Sequence, residues 1–467
     1  MTTQEPITLQ DFLTSLKIIM DKAAKAPEPD QDPVFFRVLR DHFGSDPTHL
    51  PTVRETFEKA DHPNLHLAVT NLLSREGWQS NLYGFVPPNE HMGVKFSTLL
   101  GEHYGREAKE GPVEYTNIPL HDDSVLACVQ AGLYLIHHGD SLLALLVRGP
   151  MGWNQSGVEV EVMATDPAAS ESFLAELRAT MRAHNVYRSH VISLARDEHR
   201  VLNVQFHRLP AVDRDGIILP QGVLQRIERQ TINFARQREK LKAVGRHIKR
   251  GLLLYGPPGT GKTLTAMYLA HQMPERTVIL LTGHSVGMLE SSCKLARLLQ
   301  PATIILEDVD LVAEERTHQD IGCNALLFDL LNQMDGLADD ADILFLLTTN
   351  RPDILEPALA ARPGRIDQAI EIPLPDQVCR QRLFDLYGQG LNLQLERLPH
   401  LVDQTEGVSA AFIRELMRKA ALFAADEGNE GDELIVEDRH LDEALRELAL
   451  EGGELTKRLL GASRAFA

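Results

Sequence analysis

The spacing of apolar residues changes several times along the chain, and each change suggests a new region. From Thr8, a candidate cap, Leu9, Phe12, Leu13, Leu16, Ile19, Met20 and Ala23 recur at helical spacing. The proline- and acid-rich stretch from Ala26 to Pro33 interrupts that pattern, after which Val34 to Phe43 and Val53 to Lys59 again predict helices. Residues 1–111 are therefore read as a mostly helical N-terminal segment. His62 and His66 stand four apart, but Pro63 argues against a helix there and nothing nearby completes a metal-ligand set.

From Val113 the pattern becomes one of short strands: Val113 to Ile118, Val125 to Val129, Leu133 to His137, Leu142 to Arg148 and Val158 to Met163, with His138-Gly139-Asp140 as a hairpin turn. Asp166-Pro167 supplies an N-cap and a proline at the first helical position for a helix to about Asn185, and Val186 to Leu194 and Val201 to Phe206 read as strands. Residues 112–208 are thus expected to form a small α+β domain. Its polar residues, among them His121, Asp122, Asp123, His137 and His138, show no spacing tied to chemistry.

Leu209 to Gly216 is a polar linker, and Gln221 to Lys242 predicts a charged helix with Leu224, Ile227, Phe234 and Leu241 on its apolar side. Gly251 to Tyr255, Val278 to Leu281, Thr303 to Leu306 and Ile343 to Leu347 are nearly continuous apolar runs, as strands buried on both faces of a parallel sheet require. Pro373 and Pro375 then break the chain before a helical C-terminal part.

Bulk properties narrow the possibilities. A length of 467 residues suggests about three domains, and 43% hydrophobic residues suffice for packed cores. A net charge of −19 provides no broad field for nucleic acid or anionic lipid. Cys128, Cys293, Cys323 and Cys379 are far apart and form no C-x-x-C pair, a pattern of reduced thiols that suggests a cytoplasmic protein. The longest aliphatic block, Leu142 to Val147, is far too short to span a bilayer.

The chemistry centres on Gly256-Pro257-Pro258-Gly259-Thr260-Gly261-Lys262-Thr263, lying between the first apolar run and a helix from Leu264 to Gln272. Glycines at a strand-to-helix turn let backbone N–H groups curl round a phosphate, the helix N-terminus adds partial positive charge, and Lys262 adds a full one. Thr263 offers its hydroxyl to Mg²⁺. The run Thr303 to Asp310 ends in Glu307 and Asp308, acids at the C-terminal end of a buried strand, where they reach a metal and an attacking water.

The full octet, preceded by Arg-Gly-Leu-Leu-Leu-Tyr, resembles the Walker A element of the AAA ATPases, and Thr303 to Asp310 resembles their Walker B element. The resemblance covers about residues 216–450. It implies a P-loop NTPase, an α/β doubly wound parallel sheet over 209–373 with a helical lid and tail over 374–467. It also implies ATP and Mg as cofactors, with Gly256 to Leu264 around the nucleotide. The family's usual order is Asp then Glu, whereas this chain has Glu307 then Asp308, an order similar to that of one mitochondrial branch. By position, Glu307 supports the metal beside Thr263, and Asp308 polarises water and also faces the metal.

Asn350, after Thr348-Thr349, falls on the sensor 1 position, where its amide orients water against the γ-phosphate. Asp353 to Asp367 resembles the second region of homology, placing Arg362 and Arg365 on arginine-finger positions, which implies a homo-oligomer, a ring of six by resemblance. Leu330 to Leu337 is also similar to the family, and Thr405 to Leu416 resembles the lid, with Ala411 where other branches carry a sensor 2 arginine. No lid arginine is therefore expected on the phosphates. Ile435 to Leu445 resembles the lid's last helix.

Two family features are missing: Thr282 to Ser292 holds no aromatic pore-loop residue, and the chain contains no H-E-x-x-H of a fused zinc protease. The resulting expectation is an ATP-driven remodeller of a protein client. Its rivals are an assembly switch with slow hydrolysis and a nucleic-acid motor, the latter disfavoured by the acidic balance.

Overall fold

The computed structural model of the chain describes residues 32–87, 94–101, 108–150, 157–198, 201–282, 287–310, 325–336, 338, 340–353, 355, 365–427 and 434–448. The helix expected from Thr8 and the finger position Arg362 lie outside the described residues. Two compact units divide the chain, one of residues 1–118 and 126–181, the other of 119–125 and 182–467.

The first unit is built on an antiparallel sheet in the order β1 (Thr52–Glu58), β7 (Gly157–Ala164), β6 (Ser141–Arg148), β5 (Val125–His138), β2 (Trp78–Val86) and β3 (Lys109–Gly111), with β4 (Glu114–Pro119) also paired to β5. Helix α1 (Val34–Phe43) packs Phe35, Leu39 and Phe43 with Leu133, Leu135, Ala144 and Leu146. On the opposite face α2 (His62–Leu73) and α3 (Pro167–Ala183) bury Leu65, Leu72, Phe173 and Leu177 against Ile136, Leu145, Val147 and Val160. The hairpin is a two-residue turn, pairing His138 with Ser141 across Gly139 at φ 58. Asp166 caps α3, its Oδ1 accepting from the Ala168 amide at 3.0 Å.

This sheet corrects three expectations. Val53 to Glu58 is not helical but lies in the strand β1, because the four-residue spacing of Val53 and Phe57 is an even number and suits period two as well as a helix; Lys59 opens a short 3-10 turn. The residues 1–111 accordingly contribute β1, β2 and β3 to the same sheet as β4–β7, so the boundary at 111 falls inside one fold. Pro63 does not prevent a helix: it occupies the first turn of α2, where an N–H has no intrahelical partner. His62 and His66 thus share a helix face and grip one residue. His62 Nε2 bonds the Val129 carbonyl at 2.8 Å, and the Val129 amide donates to His66 Nδ1 at 3.4 Å. Burial holds both imidazoles below their usual range, so they act as neutral structural groups.

The second unit holds a sheet in the order β14 (Gln368–Glu371), β10 (Arg250–Tyr255), β13 (Ile343–Thr349), β12 (Ala302–Leu306), β11 (Thr277–Leu281), β8 (Val191–Arg196) and β9 (Leu202–Phe206). All pairs are parallel except β8 with β9. Strands β8 and β9, assigned from sequence to the small α+β domain, instead extend the α/β sheet, β8 lying against β11 with Val191 opposite Val278. Their short apolar runs give no sign of which sheet they join.

Both faces of the central strands are buried. Leu253, Ile304, Phe345 and Leu347 face one core with α5 (Leu289–Leu298) and α6 (Ala325–Asp335), while Leu252, Leu254, Ile305 and Leu346 face α4 (Lys262–His271) and the short helices from Val223. The expected single helix over Gln221 to Lys242 is divided into Val223–Gln230, Ile232–Arg236 and Arg238–Ala243. After the sheet come α7 (Gln377–Tyr387), α8 (Leu398–Gln404), α9 (Ala410–Asp426) and α10 (Asp438–Arg446), packed around Phe384, Phe412 and Leu416.

Candidate active site

Strand β10 ends at Tyr255 and α4 begins at Lys262, so the glycine-rich loop lies at the C-terminal edge of the sheet, between β13 and β14. In open α/β sheets this edge is where ligands bind. Gly259 and Gly261 have φ values of 75 and 101, which only glycine adopts without strain. Lys262 is buried and donates to the carbonyls of Gly256 at 2.9 Å and Pro257 at 2.8 Å. Thr260 Oγ1 donates to the Pro257 carbonyl at 2.9 Å, closing the loop on itself. Burial pulls the Lys262 ammonium down to about 8, against the opposing pull of Asp308 and Asp310.

Three carboxylates gather at the end of β12. Glu307 accepts from the Thr263 hydroxyl, and its pKa is raised by burial and by the neighbouring Asp308 charge. Asp308 adopts a positive φ of 47, and its amide donates to Thr348 Oγ1 at 3.1 Å. Asn350 Nδ2 donates to Asp308 Oδ1 at 3.2 Å. Burial first, and Asp310 second, raise the Asp308 pKa.

Asp310 stands in the same sequence run, with no role expected of it. It is buried and accepts from Thr349 Oγ1 at 2.7 Å and from the Asn350 amide at 3.2 Å, so it fixes the end of β13 that carries Asn350. Charge-assisted bonds of this kind contribute roughly 1.5–3 kcal/mol each.

A cleft of 430 Å³ opens over the loop, lined by Pro258 to Thr265, Asp308 and Asn350. Its farther walls come from Arg414 of the Thr405 to Leu416 lid motif and from Ile217, Leu219, Leu383 and Tyr387, which the motifs did not single out. Only their position in the fold identifies them, since apolar side chains in a linker and on a helix look the same in sequence whether they pack a core or wall a cleft. Helix α9 closes on the loop, the Ala411 amide donating to the Gly259 carbonyl at 3.1 Å. A Cβ on Gly259 would lie 2.7 Å from Ser409 Oγ, so glycine permits this approach.

The arrangement suits a phosphorylated ligand with a divalent cation. Among the described residues no cluster of three His, Cys, Asp and Glu side chains could hold a metal by itself. Mg²⁺, however, takes one or two protein oxygens and completes its shell with water and substrate phosphate. Thr263 and Glu307 meet that need, and a cation there would relieve the repulsion between Glu307 and Asp308. Arg365 is not at the cleft: its Nε donates to Asp335 Oδ1 at 2.6 Å in its own chain.

Residues 252–374 match the family described as ATPase family associated with various cellular activities (AAA). A proteasome-activating nucleotidase of Thermococcus onnurineus is 34% identical over 198 residues, 40% of this chain and 50% of the relative. A 26S proteasome regulatory subunit 6B homolog of Dictyostelium discoideum is 34% identical over 196 residues, 39% of this chain and 48% of the relative. A proteasome-activating nucleotidase of Methanopyrus kandleri is 33% identical over 243 residues, 49% and 56%. The chain spans about half the length of the curated relatives it matches. Among the described residues no helix is long and apolar enough to cross a membrane.

Proposed function

We propose that this chain, whose residues 252–374 match the AAA ATPase family, hydrolyses Mg-ATP in this cleft and uses the energy to remodel a protein. The single observation that carries the reading is the convergence of Thr263 with Glu307, and of Asn350 with Asp308, over one loop containing a buried lysine. Mg²⁺, when bound, neutralises phosphate charge and aligns the γ-phosphate.

The chain's own groups do the rest. Loop amides and Lys262 bind phosphate oxygens, and Thr263 and Glu307 hold the cation. Asp308 accepts a proton from the attacking water, while Asn350 orients that water and Asp310 keeps Asn350 in place. Ile217, Leu219 and Leu383 exclude water around the base, and α9 couples the cleft to the helical lid through Gly259.

The names of the relatives, proteasome-activating and proteasome regulatory proteins, support a protein client. The reading extends to a cytoplasmic homo-oligomeric ring, of six subunits by family resemblance, in which Arg362 and Arg365 serve a neighbour's nucleotide. For Arg365 this requires release from Asp335, or joint presentation with it.

The test is steady-state ATP turnover against protein concentration. Specific activity rising as subunits assemble supports a site completed in trans. Equal activity from a verified monomer contradicts it.

A further inference from the structure

Strand β1 ends the sheet of the first unit: it pairs with β7 from Thr52 to Glu58, and among the described residues no strand lies on its other side. In an antiparallel edge strand alternate residues turn both N–H and C=O outward, a ready template for another strand. Helix α3 runs beside this edge. Ala168, Glu171, Ser172, Ala175 and Arg178 recur at three- and four-residue spacing along one side of it. With Val53, Arg54, Glu55 and Leu174 they enclose an open groove of 690 Å³.

The lining has the character of a side-chain track. Ala168, Ser172 and Ala175 are small and exposed, leaving room above the edge, while Val53 and Leu174 belong to the apolar core beneath. The charges at the rim are balanced, Arg178 Nη1 meeting Glu55 at 2.7 Å and Arg54 Nη2 meeting Glu161 at 2.6 Å. No cationic field is left to select a polyanion.

We propose that this groove binds an extended segment of an unfolded polypeptide, which adds as a strand to β1 and lays alternate side chains against α3. The edge itself specifies the occupant. An extended backbone supplies donors and acceptors at the strand repeat of about 3.3 Å, and the charge balance of the rim counts against nucleic acid. A second copy of the same strand fits poorly. Full antiparallel self-pairing of Thr52–Glu58 sets Glu55 against Glu55, and like charges directly opposite are destabilising. The inference deepens the protein-remodelling reading by naming its client class and rests on that reading for its purpose; the binding step itself needs no nucleotide.

The experiment uses the full chain without nucleotide and fluorescein-labelled, reduced and carboxymethylated lactalbumin, which cannot refold, followed by anisotropy. Native lactalbumin is the folded control. Ala175→Trp fills the groove from an exposed position, whereas Ala179→Trp adds the same bulk to an exposed position on α3 outside it.

The expected result is equal binding of the unfolded probe by wild type and Ala179→Trp, binding at least tenfold weaker by Ala175→Trp, and none of the native control. Hydrogen exchange on the wild type, which depends on no variant folding, should slow within Thr52–Glu58 when the probe binds. Lys262→Ala should bind the probe normally, so failure of the ATP reading and failure of the groove are separately visible. Undiminished binding by Ala175→Trp as a folded protein, unchanged exchange in β1, or a wild-type dimer that Ala175→Trp dissociates would each overturn the proposal, the last by assigning the edge to a second copy.

Discussion

The two sheets of this protein bury their strands in similar ways yet reveal very different amounts in sequence. Both carry helices on both faces, so β6 of the first unit, Ser141–Arg148, is as continuously apolar as β12 of the second, Ala302–Leu306. The difference lies at the strand ends. Strands β10, β12 and β13 deliver Gly256 to Thr263, Glu307 with Asp308, and Asn350 to one edge, because parallel strands place all their C-terminal ends together. The antiparallel sheet alternates its ends, and what it presents is backbone along β1. Side-chain chemistry at a shared edge leaves a motif; an edge of backbone with no partner strand among the described residues leaves none.

The largest effect that sharpens this contrast belongs to the loop. Lys262→Ala should weaken ATP binding by more than about a hundredfold, or roughly 2.7 kcal/mol, while the first unit keeps its folded signal. Calorimetric titration and circular dichroism together check it. Undiminished affinity would break the assignment of the edge.

Next come the acids. Asp308→Asn should bind ATP but lose turnover by about 10²–10⁴-fold, the range for a positioned general base. Glu307→Gln should mainly raise the Mg²⁺ concentration needed for activity. A Glu307→Gln protein with normal Mg²⁺ dependence and no hydrolysis would exchange the two roles.

The interface effect is smaller in amplitude because only some sites recover. Arg365→Ala should bind ATP nearly normally yet hydrolyse it poorly, and mixing it with Asp308→Asn under subunit exchange should restore part of the turnover. A mixture as inactive as both parents removes support for action in trans. Asp335→Asn, which loosens the bidentate hold on Arg365, tests whether that ion pair restrains or presents the arginine; a change in turnover at fixed assembly state is expected.

The smallest effect lies in the first unit. Asp61, before α2, has its carboxyl raised from 3.8 to about 6, by burial and then by the Glu58 charge. Between those values the folded state holds a proton that the unfolded chain has released, so stability falls as pH rises through this window and stays reduced above it. Asp61→Asn lacks that loss. It should be more stable than wild type by about 1–2 kcal/mol at pH 7.5, with the difference fading near pH 4. Urea melts at the two values check it, and equal stability at pH 7.5 would refute the burial argument.

Residues were most legible in the sequence where type and spacing coincide. Lys262, Thr263, Glu307, Asp308 and Asn350 were all named from spacing and resemblance, and the structure gathers them over the loop. Asp310 gave no separate signal because a buried acid that braces a strand end looks like part of the motif next to it. The cleft walls at Ile217, Leu383 and Tyr387 were invisible because their partners are far away in the chain. In the first unit, Val53 and Phe57 satisfied two periods at once, and Pro63 was read as a breaker when the first turn of a helix accepts it. The allegiance of β8 to the second sheet depends on pairing with β11, a long-range contact that local pattern does not encode.

The two proposals meet in one central claim, that nucleotide turnover at one edge would serve a polypeptide held at the other. The most direct test is steady-state ATP turnover by wild type and Ala175→Trp with and without carboxymethylated lactalbumin, alongside single-stranded DNA and RNA. The account predicts that the unfolded protein accelerates wild-type turnover, that the nucleic acids do not, and that Ala175→Trp keeps basal turnover but loses the acceleration. Turnover that responds to nucleic acid but not to protein, or acceleration that survives in Ala175→Trp, would contradict it.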